Sequence, residues 1–188
     1  MGRCQKVICL LLMVGTFVSC KKDEKLAIAN PTQIDLYFPL SDFLQKSIEK
    51  LEFAEVVKEI HFNDDTEIVD FSLDSLTWRQ ELDFFFQSDI NKAALATSYE
   101  TKEEAGLLIH QLKPNEKGNI KSIKVRKQSG KVVSITILSV ISNMFYNSTV
   151  EGMITLDDNE EVSSYEMSGD QKVWFLSGTK LHVEGKVK

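Results

Sequence analysis

From Gly106 onward the chain is a succession of short β-forming segments divided by turn residues, and this restricts its fold more than any other feature. Leu107 to Leu112, Ile120 to Lys127, Lys131 to Ser139, Asn143 to Leu156, Val162 to Leu176 and Thr179 to Val187 are rich in Ile, Val and Leu. Between them lie Pro114-Asn115-Glu116-Lys117-Gly118, Ser129-Gly130, Ile141-Ser142, Asp157-Asp158-Asn159 and Ser177-Gly178. Connections this short join antiparallel neighbours, because a parallel pair needs a crossover of a dozen residues or more. A meander of about six strands follows. Ile123, Val125, Val133, Ile135 and Ile137 mark the face that meets the rest of the core, and Lys124, Arg126, Ser134 and Thr136 mark the solvated face.

Ahead of the meander the periodicity is helical. Leu40, Phe43, Leu44, Ile48 and Leu51 recur on one face, so Pro39 to about Glu55 is expected as an amphipathic helix. Val56 to Phe62 and Glu67 to Leu73 form a hairpin around Asn63-Asp64-Asp65. Asp74 caps a second helix, with Leu73 packing on Trp78 as a staple, and Trp78, Leu82 and Phe85 follow one face. Asn91 to Ala105 has no regular pattern. The expected architecture is α+β: two N-terminal helices and a hairpin packed with a curved antiparallel β-meander, as one domain over residues 34–188.

The first residues carry an address. Arg3 and Lys6 precede the apolar run Val7 to Val18, which ends in Ser19-Cys20 and the charged Lys21-Lys22-Asp23-Glu24-Lys25. This is the layout of a secretory signal peptide over residues 1–19, too short for the ~20 residues of a spanning helix. Phe17-Val18-Ser19-Cys20 resembles the bacterial lipobox, with Phe17 where Leu is usual. The resemblance implies diacylglycerol on the Cys20 sulfur, a lipidated tether over residues 20–33, and attachment at the bacterial outer membrane on its periplasmic or cell-surface face. Cys4 and Cys9 leave with the leader, so no disulfide is expected in the remaining chain. The acidic balance, a net charge of −6, disfavours nucleic acid. Membrane contact is expected through the acyl anchor alone.

Chemistry-bearing patterns are sparse. His61, His110 and His182 are far apart in sequence, with no close ligand pair for a metal, and Asp157 to Glu161 lacks the glycine of a calcium loop. No Gly-x-Ser-x-Gly elbow and no Gly-rich phosphate loop occurs, so no catalytic residue, metal or cofactor is assigned. Asp74-Ser75-Leu76 resembles an O-glycan acceptor of Bacteroidota at Ser75, in competition with the cap at Asp74. Phe84, Phe86 and Trp174 are the candidates to floor a pocket for a lipid or other apolar molecule. A filled core would favour an envelope protein partner instead. The rival reading, a hydrolase acting on envelope or imported polymers, requires at least two of His61, His110, His182, Asp89 and Glu81 to converge within hydrogen-bond reach.

Tyr37-Phe38-Pro39-Leu40, then Trp78-Arg79-Gln80-Glu81-Leu82, Ser88-Asp89-Ile90-Asn91-Lys92 with Ala94 and Tyr99, and the closing Val183-Glu184-Gly185-Lys186 resemble a family of small Bacteroidota lipoproteins without an established activity. Asp89-Ile90-Asn91-Lys92 is the most specific part of the likeness. It implies export, anchoring and a single domain, and no catalytic residue.

Overall fold

The computed structural model describes residues 33–51 and 53–188, within the compact unit Pro31–Lys188. The leader, Cys20 and the expected tether up to residue 32 lie outside the described residues. The elements run α1 (Leu40–Glu49), β1 (Ala54–Phe62), β2 (Asp65–Leu73), α2 (Ser75–Glu81), α3 (Asp83–Gln87), a 3-10 turn (Ala93–Leu95), β3 (Tyr99–Glu104), β4 (Leu107–Leu112), β5 (Ile120–Gln128), β6 (Lys131–Ser142), β7 (Tyr146–Leu156), β8 (Val162–Val173) and β9 (Thr179–Val187).

All nine strands join one antiparallel sheet in the order β2-β1-β9-β8-β7-β6-β5-β4-β3. The expected α+β architecture is therefore corrected: the described residues are mostly β, with three short helices among them on one sheet face. Three physical causes account for the difference. An isolated hairpin is marginal in water, and β1–β2 instead docks on β9, from Val56 opposite Val187 to Phe62 opposite Leu181. Tyr99–Glu104 adds an edge strand whose only buried side chain is Tyr99, so no alternation announced it. The helices also stop early: α1 ends at Glu49, and the second helix breaks at Leu82. Three consecutive phenylalanines span about 200° of a helix, more than one face can bury, and the break lets Phe85 and Phe86 both reach the interior.

Both sheet edges carry charge, Asp65, Glu67 and Asp70 on β2 and Glu100, Lys102, Glu103 and Glu104 on β3. Charged edges discourage pairing with another chain. On the helix-covered face, Ile135, Ile154, Tyr165 and Gly185 lie side by side in register and are all buried. Leu40, Leu44 and Ile48 of α1, Trp78 of α2, Phe85 of α3 and Leu82 at the break between those two helices complete the core. Glycine is needed where the aromatic rings press on the strands. A Cβ at Gly152 would lie 2.5 Å from Phe84 Cε1, and one at Gly185 would fall within the Tyr165 ring.

Candidate functional site

The residues singled out as acids, bases or ligands have structural partners. Asp89 accepts from the backbone N–H of Ser41 (2.9 Å) and of Asn91 (2.8 Å), which caps the first turn of α1 from another element. Asn91 holds the entering chain: its Oδ1 accepts from Leu36 and Tyr37 N–H, and its Nδ2 donates to the Tyr37 and Phe38 carbonyls. The Asp89-Ile90-Asn91-Lys92 motif is thus a clamp on residues 34–41. Glu81 accepts from the Tyr165 hydroxyl (2.6 Å) and pairs with Lys58 (2.6 Å). Burial, then the Glu81 hydrogen bond and charge, hold the Tyr165 hydroxyl far above the usual range.

His110 Nε2 accepts the Phe38 N–H at 3.0 Å, which requires a neutral ring, and its Nδ1 lies 2.8 Å from Thr101 Oγ1. Burial lowers its pKa accordingly. His61 and His182, which looked scattered in sequence, are cross-strand partners with ring centroids 5.8 Å apart, flanked by Glu59 and Glu166. They stand on the face away from the helices. Among the described residues no two of His61, His110, His182, Asp89 and Glu81 hydrogen-bond to each other, and no group of three or more His, Cys, Asp or Glu is placed to hold a metal ion.

The three residues expected to floor one pocket are separated. Phe84 is half-buried with its ring on Gly152. Phe86 is buried beneath Arg79, whose guanidinium sits 4.4 Å from the ring centre. Trp174 lies outside the core at 71% exposure, because β8 ends at Val173 and Trp174 belongs to the following turn. Phe84 does border a half-open cleft of about 340 Å³ with Ile90, Leu95, Tyr99 and Ile120, rimmed by Asp83 and Lys92. Desolvation in that wall, reinforced by the neighbouring Tyr37, pushes the Tyr99 hydroxyl up to about 12. Asp74 caps α2 by accepting the Thr77 N–H at 2.7 Å, and Ser75 follows it as the first helical residue.

The surface with no structural partner is the end of the sheet where Trp174 sits. The β6–β7 turn is closed by Asn143, whose Oδ1 accepts from Phe145 and Tyr146 N–H at 2.9 Å each. That turn projects Met144 and Phe145 into solvent. The Trp174 N–H donates to the Phe145 carbonyl (2.9 Å), one rung beyond the last β7–β8 pair, Tyr146 opposite Val173. This bond welds two hairpin ends into one tip. Phe145 and Trp174 ring centroids are 6.3 Å apart, and those of Trp174 and Phe175 6.5 Å. Met144 is 82% and Phe175 73% exposed, with Leu176 beside them. Exposed Phe62 and Leu181, opposite each other on β1 and β9, extend the apolar surface at the same end. No charged residue occurs from Val132 to Val150 or from Val173 to Thr179. Lys172 and Lys180 stand just behind, around a cavity of about 320 Å³ that Thr149 and Asp170 also line.

Fold and site together define a single-sheet antiparallel β protein with a short helical cover and an uncharged aromatic tip. No protein-family model, no curated protein and no solved structure matches the chain.

Proposed function

We propose that this protein is a lipid-anchored component of the bacterial envelope, held at the outer membrane through Cys20, that acts by binding and not by catalysis. Its contact surface is the aromatic tip. The observation that carries the reading is the clustering of Met144, Phe145, Trp174, Phe175 and Leu176 in solvent at one end of the sheet. Scattered apolar residues on a surface are ordinary, whereas contiguous ones mark a contact site. A large internal ligand is disfavoured because Phe84 and Tyr165 fill the space over Gly152 and Gly185.

The test is site-specific photo-crosslinking in the intact envelope, with the photoreactive side chain at position 175 and, as control, at Lys102 on the charged edge strand. Adducts to lipid or protein at 175 in excess of the control are expected. Equal, background labelling at both positions would refute the contact surface. Intact-mass measurement on the same sample reports the Cys20 diacylglycerol, and its absence would refute the anchor.

A second reading, an apolar ligand, is favoured specifically by the Phe84 cleft, whose volume reaches the lower bound of small-molecule sites at ~300 Å³. Native mass spectrometry of the gently recovered protein tests it. A retained apolar mass lost in Phe84→Ala is the expected result, and an empty chain refutes occupancy.

A further inference from the structure

We infer that the aromatic tip is a lipid-bilayer contact: Trp174, Phe175, Leu176, Met144 and Phe145 enter the boundary between headgroups and acyl chains, with Lys172 and Lys180 at the level of the phosphates. This inference rests on the reading of the tip as the contact surface and names its partner.

Four observations favour a bilayer over a protein partner. The first is composition. Trp174 matches the amphipathic aromatic residues that concentrate at membrane interfaces, and Phe145 and Phe175, with no charge among them, supply the purely apolar surface beside it. Among the described residues the Trp174 indole N–H has no protein acceptor, whereas that of Trp78 donates to the Leu51 carbonyl at 3.0 Å. A Trp with an apolar body and an unclaimed N–H suits a boundary that is wet on one side.

The second is backbone satisfaction. The amides of Asn143, Phe145, Tyr146, Trp174 and Leu176 are taken by acceptors within the tip, while those of Met144 and Phe175 have none among the described residues. A polar backbone group entering the low-dielectric region unpaired is costly, so the tip reaches only the boundary, where headgroups and water serve the amides of Met144 and Phe175 and the protein serves the rest. It also offers no run of free ladder groups for a partner strand.

The third is charge. The chain is acidic overall, so an anionic bilayer repels its body and leaves only the uncharged tip able to approach. Lys172 and Lys180 make no ion pair among the described residues and stand behind the tip on the face away from the helices, with Asp170 opposite Lys180. Long lysine side chains reach toward phosphates from such positions.

The fourth is where the described chain begins. Gln33 bridges to Lys92, and Lys92 lines the cleft with Asn119 and Ser139, at the end of the sheet where β5 starts and β6 finishes. The turn after β6 is part of the tip, so the described chain begins at the end of the sheet that carries the tip. The thirteen residue steps from Cys20 to Gln33 reach at most about 45 Å, enough for the anchor and the tip to meet one bilayer.

The experiment uses the acylated protein, purified from its own envelope and reconstituted into protein-free vesicles of phosphatidylcholine with a minority of phosphatidylglycerol. The chain has two tryptophans, and Trp78 is fully buried, so changes in emission report Trp174. A blue shift is expected, with quenching by lipids brominated on the upper acyl chain and protection from aqueous iodide, all absent in Trp174→Phe. Trp174 emission that stays red and open to iodide while the protein sediments with the vesicles would overturn the inference and leave the anchor standing. The Cys20→Ala chain, added from solution, separates the two readings. A blue shift at high lipid supports the tip without an anchor, and no shift overturns it. In that background Trp174→Ser with Phe175→Ser is expected to weaken vesicle partitioning at least about tenfold. Unchanged partitioning, or a Trp174 response only to solubilised envelope proteins, overturns the inference.

Discussion

Replacing Gly185 by Ala should destabilise the protein far more than a methyl group ordinarily does. Gly185 is in strand β9 and its φ lies outside the left-handed region, so Ala introduces no backbone strain there. The penalty comes from Tyr165, whose ring already occupies the position of the new Cβ. The ring has little freedom to retreat. Its hydroxyl is held at 2.6 Å by Glu81, Glu81 is held at 2.6 Å by Lys58, and the Trp78 ring meets it edge-on at a centroid distance of 6.4 Å. Overpacking costs about 1–3 kcal/mol, and loss of a hydrogen bond to a charged acceptor about 1.5–3 kcal/mol. The expected destabilisation is about 4 kcal/mol, a shift of about 2 M in the urea midpoint. Gly169→Ala is the internal control, because its Cβ would meet nothing nearer than 3.7 Å, in ordinary contact with Val150. Urea unfolding followed by far-UV circular dichroism measures both. In a double-mutant cycle, Tyr165→Leu with Gly185→Ala should be at least about 1 kcal/mol more stable than the two single effects add up to. Equal midpoints for Gly185→Ala and Gly169→Ala, or strict additivity with Tyr165→Leu, would refute the account of a ring locked against glycine.

Further outcomes follow from the same contacts. Asn91→Ala removes four hydrogen bonds to the entering segment and should destabilise by about 3 kcal/mol, with hydrogen exchange rising first at Leu36 and Tyr37 amides. His110 has a folded pKa below its unfolded value of 6.5, so the unfolded state takes up more protons and stability falls with acidification from about pH 6.5 down to the folded pKa, then levels off for this group. Denaturation midpoints across pH 5 to 8 for the protein and His110→Gln check this, and the variant should lose that portion of the slope. Trp174→Ser should leave the unfolding free energy from urea denaturation within about 0.5 kcal/mol of the parent, since a side chain this exposed contributes little to folding.

Local chemistry announced much of this structure. The Asn63 turn, the Ser129-Gly130 turn with both residues at positive φ, and the Asp74 cap each depend on a few neighbouring residues, and each was legible. What escaped depends on distant partners. Nothing local says that β1 will pair with β9, and that single pairing turns a separate hairpin into part of one sheet and sets His61 opposite His182. Asp89 reads as a candidate acid because a carboxylate looks the same whether it faces a substrate or caps a helix 48 residues earlier. Phe84, Phe86 and Trp174 share an apolar character that records hydrophobicity without recording side: two of them serve the helix–sheet interior and the third points into solvent.

The tip had a signal in the sequence that strand periodicity concealed. Extending the strand to Leu176 treats Trp174, Phe175 and Leu176 as a continuation of β8, although three large apolar residues in succession cannot alternate between a core face and a solvated face. The Ser177-Gly178 turn immediately after them places them at the limit of the sheet, and the uncharged Met144-Phe145 turn does the same one hairpin earlier. A run of exposed apolar residues lowers solubility without adding stability. In this fold the aromatics of the core and its margin have definite work: Trp78 and Tyr99 donate to backbone carbonyls, Tyr165 to Glu81, and half-buried Phe84 covers Gly152. Among the described residues the tip aromatics hydrogen-bond to the rest of the protein only through their backbone, so their side chains can be changed without touching the core. That separation makes the tip experiments decisive: a variant there that folds normally and loses membrane contact has lost nothing else.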